Sequence, residues 1–212
     1  MKKDIPVFHI DPDVVERNWL DGEAVMRRQA AMVSALSCKG SMLDCGGAPG
    51  DAFSGMLPPA LDACCGPRGM WCEKDDERIW GIDKRCEVVG WNEKQGRREL
   101  EIAPDMVADF RSMPFPDGVF CFVMFDPPHL KWAGKSGRFF LRYGELDRTS
   151  WEEDMRKGFR ECMRVLRPGG VLMFKWSTFQ IPLAKVRPLY PCRPLFSSRQ
   201  GKTYHVIFMK EI

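Results

Sequence analysis

At 212 residues, with 44% hydrophobic and 29% charged side chains, the chain has the size and composition of one globular domain with a full core. A net charge of +3 is too small to mark a nucleic-acid binder by itself, and nine cysteines without one C-x-x-C pair argue against a zinc site or a disulfide framework. No apolar run approaches the roughly 18 residues of a membrane span, and the opening "MKKDIPVFHIDPD" lacks the apolar core of a signal peptide, so a cytoplasmic protein is expected.

Residues 1–58 read as an N-terminal helix and loop, and 59–212 as the domain that carries the chemistry. Asp11 suits the cap of a first helix reaching to about Ser37, with Pro12 in its first turn and Val15, Trp19, Met26, Val33 and Leu36 along one face. Short apolar runs then predict strands over 61–64, 79–82, 106–108, 119–125, 171–176 and 204–209. The fourth is apolar throughout and the fifth is interrupted only by Lys175, as strands covered on both faces of a parallel sheet should be nearly continuous apolar runs. Between them, Met155, Phe159, Cys162, Met163 and Leu166 recur at helical spacing and predict a helix over 151–166, stopped by "RPGG". The expected class is α/β, a Rossmann-like doubly wound sheet, mostly parallel.

Two segments compete for the loop after the first strand, where such a sheet holds its ligand. After "LDCGGAPGD", Gly55 and the pair Pro58-Pro59 leave hardly two turns for the following helix. After "LDACCGPRG", the stretch "MWCEKDDER" can form a short unbroken helix. Counted from this second loop, strand one ends at Asp62, strand two ("IWGID") at Asp83, strand three ("MVAD") at Asp109 and strand four ("VMFDPP") at Asp126. Every strand then delivers an acid to the same sheet edge. The second loop is therefore taken as the binding loop, and the first, at 44–51, as a surface excursion.

The segments "ALDACCGPRGMW", "GIDKR", "DMVADFRSMPFPDGVFCFVMFDPPHL" and "VLRPGGVLMFKWS", in register over residues 60 to 176, resemble the successive motifs of the class I S-adenosylmethionine-dependent methyltransferases. More narrowly, "CCG…W", "DFR" and "FDPPH" resemble a small phage and bacterial family of that superfamily. The resemblance implies S-adenosyl-L-methionine as cofactor, and "PCRPLF" with "KTYHVIFMK" as the antiparallel strand pair closing the sheet. It also implies a binding set: Asp62, Ala63, Cys64 and Gly66 around the methionine moiety, Asp83 and Lys84 at the ribose, Asp109 and Phe110 at the adenine. The chemistry is consistent: Gly66 leaves room for a ligand to approach the backbone, and a carboxylate at Asp83 can accept two hydroxyls. No metal is called for.

"DPPH" resembles the [DNS]-P-P-[YFW] signature of amino methyltransferases. An exocyclic amino nitrogen is a poor nucleophile because its lone pair is delocalised into the ring. Asp126 accepting its N–H, on a frame fixed by Pro127 and Pro128, would pull the nitrogen toward a tetrahedral shape, while His129 stands where the signature has a stacking aromatic. Beyond it, Lys131, Lys135, Arg138 and Arg142 are interleaved with Trp132, Phe139, Phe140 and Tyr143. That mixture suits a contact to single-stranded DNA or RNA, Lys131, Trp132, Lys135, Arg138 and Tyr143 foremost, or a lid over the pocket. Two alternatives stand beside N-methylation. The first loop and Lys175 resemble the heat-shock-type RNA 2′-O-methyltransferases, which would use Asp126 with Lys175. The fold could also serve as an inactive binding subunit. Nothing in the sequence speaks to oligomeric state.

Overall fold

The computed structural model describes residues 57–93, 96–134 and 137–212. These all belong to one unit, Gly47–Ile212. The first helix expected at 11–37, the glycine loop at 44–51 and nearly all of the segment 1–58 lie outside the described residues, as does Lys135.

Seven strands form the central sheet, in the order β5-β2-β1-β6-β7-β9-β8. They are β1 (Ala60–Asp62), β2 (Ile79–Asp83), β5 (Met106–Val107), β6 (Phe120–Phe125), β7 (Leu166–Ser177), β8 (Phe196–Gln200) and β9 (Thr203–Met209). The first five lie parallel, and β9 runs antiparallel between β7 and β8. This is the mostly parallel sheet with an antiparallel C-terminal strand that the sequence leads one to expect. The chain leaves β1 on one side toward β2 and β5, then returns to its other side with β6. The switch point of the topology, and hence the natural binding crevice, lies between β1 and β6.

Apolar periodicity accounts for the core. Along β7, Leu172, Phe174 and Trp176 alternate with half-buried residues, and their shared face packs with Phe125, Phe159, Tyr190 and Phe208 into an aromatic cluster. Phe159 comes from helix α2 (Trp151–Val165), which buries Trp151, Met155, Phe159, Cys162 and Val165 on one stripe. Two shorter helices, α1 (Arg138–Tyr143) and α3 (Leu183–Val186), follow β6 and β7 respectively.

Two stretches depart from expectation. Residues 70–78 are turns instead of the expected helix. Asp76 captures the Arg78 backbone N–H at 2.9 Å and its guanidinium, and the Trp71 indole is drawn back onto Asp62 at 2.7 Å. These side-chain bonds compete with the helical ladder and win. Between β2 and β5 the chain forms a separate antiparallel pair, β3 (Glu87–Glu93) and β4 (Gly96–Ile102), instead of a plain connection. Its buried anchors are Val89 and Ile102, while most of its residues are exposed.

Candidate active site

The loop after β1 is built on its own acid. Asp62, 2% exposed, accepts the Cys64 N–H at 3.2 Å through Oδ1 and the Trp71 indole N–H at 2.7 Å through Oδ2. Burial pushes its pKa up to about 6, opposed by those two hydrogen bonds. Ala63 and Cys65 continue the sheet pattern by donating to the carbonyls of Met124 and Ile82, both at 2.9 Å. The chain then turns at Gly66, whose φ of +48° is the left-handed conformation that favours glycine. Gly66 N–H donates at 3.1 Å to Asp83 Oδ2 from the end of β2. Among the described residues, no atom other than those of its chain neighbours lies within 4 Å of where a Gly66 Cβ would stand, so the side-chain position here is empty.

Beneath the loop, Gly81 of β2 is a packing glycine. A Cβ there would come within 2.9 Å of Cys65 Cβ and 3.2 Å of the Arg68 guanidinium. Arg68 pairs with Asp105, which also accepts the Gly81 N–H at 2.7 Å. Loop and strand are thus joined through one part-buried ion pair.

The strand-end acids gather as their positions predict. Asp62, Asp83, Asp109 and Asp126 all line one cleft, together with Ala63, Cys64, Gly66, Lys84, Phe110, Pro127 and Pro128. Their individual engagements are new information. Asp83 Oδ1 accepts the Arg85 N–H at 2.9 Å. The Arg85 side chain reaches on to the carbonyls of Leu141 at 3.0 Å and Arg142 at 3.5 Å, so it ties the end of β2 to the end of α1. Asp109 is held by Arg111, which also pairs with Asp154 at 3.1 Å. The Asp109 carboxylate is thereby occupied within the protein. Phe110 leans on Phe125 with ring centroids 5.3 Å apart and lends the cleft an apolar wall.

Across the cleft, Asp126 forms an ion pair with Lys175 of β7, a residue 49 positions away. Its Oδ1 has no protein partner among the described hydrogen bonds. Arg142, Tyr143 and Gly144 complete this wall. His129 is not part of it. The imidazole lies between Tyr143 at 5.7 Å and Trp176 at 6.4 Å, and burial lowers its pKa, which favours the neutral ring. On this wall the aromatic residue that lines the cleft is Tyr143, in addition to Phe110.

The basic-aromatic segment is only partly gathered at the cleft. Lys131 Nζ lies over the Trp151 ring at 5.1 Å, and Arg138 pairs with Glu93 at 3.5 Å. Trp132 is on the surface, 63% exposed. Arg142, one of the cations of that segment, does line the cleft. Arg85 is signalled by nothing local in the sequence; it matters only because the end of α1 comes within hydrogen-bond reach of the end of β2.

No family model matches the chain. A malonyl-[acyl-carrier protein] O-methyltransferase of Enterobacter lignolyticus (strain SCF1) is 31% identical to it over 129 residues, 58% of this chain and 43% of the relative. The chain therefore spans less than half the length of the curated relative it matches. Among solved structures, a protein of Pyrococcus horikoshii OT3 is similar with a TM-score of 0.47 at 14% identity, over 72% of this chain and 81% of that one. A SAM-dependent methyltransferase from Aquifex aeolicus is similar with a TM-score of 0.40 at 14% identity, over 71% and 80% of the two chains.

Proposed function

We propose that this chain is an S-adenosyl-L-methionine-dependent methyltransferase that modifies an exocyclic amino group, of adenine or cytosine, in a nucleic acid. The observation that carries the reading is the single cleft in which the side-chain space left empty at Gly66 and the carboxylate of Asp83 face Asp126 across the switch point of the sheet. The residues fit the cofactor. Gly66 leaves empty the space a side chain would fill beside its methionine end, Asp83 offers a carboxylate for the ribose, and Phe110 an apolar wall for the adenine. When bound there, the cofactor supplies an electrophilic methyl group on a sulfonium.

The chain's own part is orientation. Oδ1 of Asp126 accepts an amino N–H of the acceptor, while Oδ2 stays on Lys175 and keeps the carboxylate in one rotamer. Pro127 and Pro128 hold the backbone that follows, so little reorganisation is needed as the nitrogen changes geometry. Tyr143, steadied by His129, offers a ring face to an extruded base.

A second reading is favoured by one specific contact. Lys175 against Asp126 is the pair that an oxygen acceptor would use, and the matched Enterobacter relative is named as an O-methyltransferase. The decisive experiment incubates the protein with methyl-labelled cofactor and separate DNA, RNA and protein fractions, then identifies the labelled atom. Label on adenine N6 or cytosine N4 supports the first reading; label on a ribose hydroxyl or a carboxylate refutes it. Lys175→Met should leave amino transfer within about tenfold of the parent, but should abolish transfer to oxygen. A chain that binds no cofactor in calorimetry would instead be a binding subunit.

A further inference from the structure

The second half of the sheet carries a charge pattern that the whole-chain figure hides. From Cys162 to Lys210 there are nine Lys and Arg and no Asp or Glu, in a chain whose net charge is only +3. Part of that charge converges with exposed aromatic rings beside the cleft. The loop after β7 places Phe179 on the surface, 65% exposed, and the loop after β6 does the same with Trp132.

Neither ring hangs on a slack loop. Gln180 Oε1 accepts the N–H groups of Lys131 and Trp132 at 2.8 and 3.2 Å, and its Nε2 donates to Trp132 O at 2.7 Å. The Gln180 side chain therefore clamps its own loop to the backbone of the other. Behind Phe179, the Trp176 indole donates to Ile181 O at 3.1 Å, which anchors the loop to the core. The turn between β8 and β9 comes to the same sheet edge, because Ser177 pairs with Thr203 and Thr178 N–H donates to Lys202 O at 2.8 Å. Lys202 Nζ lies 5.0 Å over the Phe179 ring, and the neighbouring Arg199 guanidinium lies 5.4 Å over Tyr204.

Leaving two large rings in water forgoes the gain of burying them, and holding their loops by paired hydrogen bonds preserves that exposure. Planar faces flanked by cations match unpaired bases joined by phosphates. We infer that Trp132 and Phe179, with Lys202 and Arg199, form a track for the single-stranded nucleic acid that flanks the acceptor base. This deepens the proposed function and rests on its nucleic-acid acceptor. It also moves the substrate contact from the basic-aromatic segment alone to the loops after β6 and β7 and the β8–β9 turn.

The test reads binding without turnover, by fluorescence anisotropy of labelled oligothymidylate and oligouridylate over a salt titration. Trp132→Ala and Phe179→Ala should each weaken binding about fivefold or more, and Lys202→Ser should lower the salt slope by about one contact. Lys185→Ser, on α3, serves as a charge-matched control and should change the slope less than Lys202→Ser. Unaltered thermal transitions show that these surface variants remain folded. Oligonucleotide binding that is equal in parent and both ring variants overturns the track, yet leaves nucleic-acid methylation standing. Binding of an acidic carrier protein that the ring variants abolish, with no oligonucleotide binding by the parent, also overturns it. In that case the labelled-product experiment fails separately, with no label in DNA or RNA.

Discussion

Asp83→Ala tests the assignment of the cleft most directly. The carboxylate is 8% exposed and holds two segments at once, accepting the Gly66 N–H at 3.1 Å and the Arg85 N–H at 2.9 Å. Alanine leaves the Gly66 N–H buried without an acceptor, at a cost of about 1–3 kcal/mol in stability. The Arg85 amide is only part-buried and can turn to water, so it adds little. Cofactor affinity should fall further, because the ribose loses a charged acceptor worth about 1.5–3 kcal/mol, or roughly ten- to 150-fold in Kd. Asp83→Asn keeps one carbonyl oxygen for these donors and should lie between alanine and the parent. Calorimetric titration with S-adenosylmethionine gives the affinity, and thermal unfolding separates it from stability. If Asp83→Ala unfolds normally and binds the cofactor within twofold of the parent, the ribose is not held here. The choice of the second glycine loop would then fall with it.

Asp62, its pKa raised to about 6, should make cofactor affinity pH-dependent, since only the carboxylate attracts an ammonium group. Affinity should rise between pH 5 and 7, and Asp62→Asn should flatten that rise. The sign for stability is opposite: a folded pKa above the unfolded value makes Asp62's contribution greatest below about pH 4 and lost as pH climbs through 6, so Asp62→Asn should gain relative stability at pH 7 in thermal scans. Gly81→Val improves strand propensity by up to about 1 kcal/mol, yet its Cβ would stand 2.9 Å from Cys65 Cβ. Overpacking at about 1–3 kcal/mol should prevail, giving a lower Tm and weaker cofactor binding together; a higher Tm would disprove that packing role. Asp126→Ala should lower kcat about a hundredfold or more with little change in cofactor Kd, measured by steady-state methylation and calorimetry. Tyr143→Ala should instead raise the acceptor KM about tenfold, and His129→Ala less, because the imidazole acts through the tyrosine.

Much of the frame follows from local pattern. Each core strand is an apolar run, and each of the four segments that reach the cleft meets an aspartate at or just after its end, so a sheet edge lined with acids could be read from spacing alone. Helix α2 was equally legible, because Met155, Phe159 and Cys162 repeat at the helical period against a clear Pro-Gly stop. The region 70–102 was not. Its dense charges carry little periodicity, and side-chain bonds from Asp62 and Asp76 decide the backbone path there.

Partner choice was likewise hidden. Lys175 finds Asp126, Arg85 finds the end of α1, and Gln180 finds the backbone of Trp132, each across 48 or more residues. The linear order places every one of these groups near a strand end without saying which neighbours will share it. Sequence alone determined which residues stand on the cleft edge of the sheet, since apolar alternation and strand-ending aspartates act within a few positions. Tertiary structure decided which acids are already occupied, and that Tyr143 instead of His129 lines the cleft. Those outcomes depend on how distant segments pack, because the directional bonds that settle them join groups 48 or more residues apart.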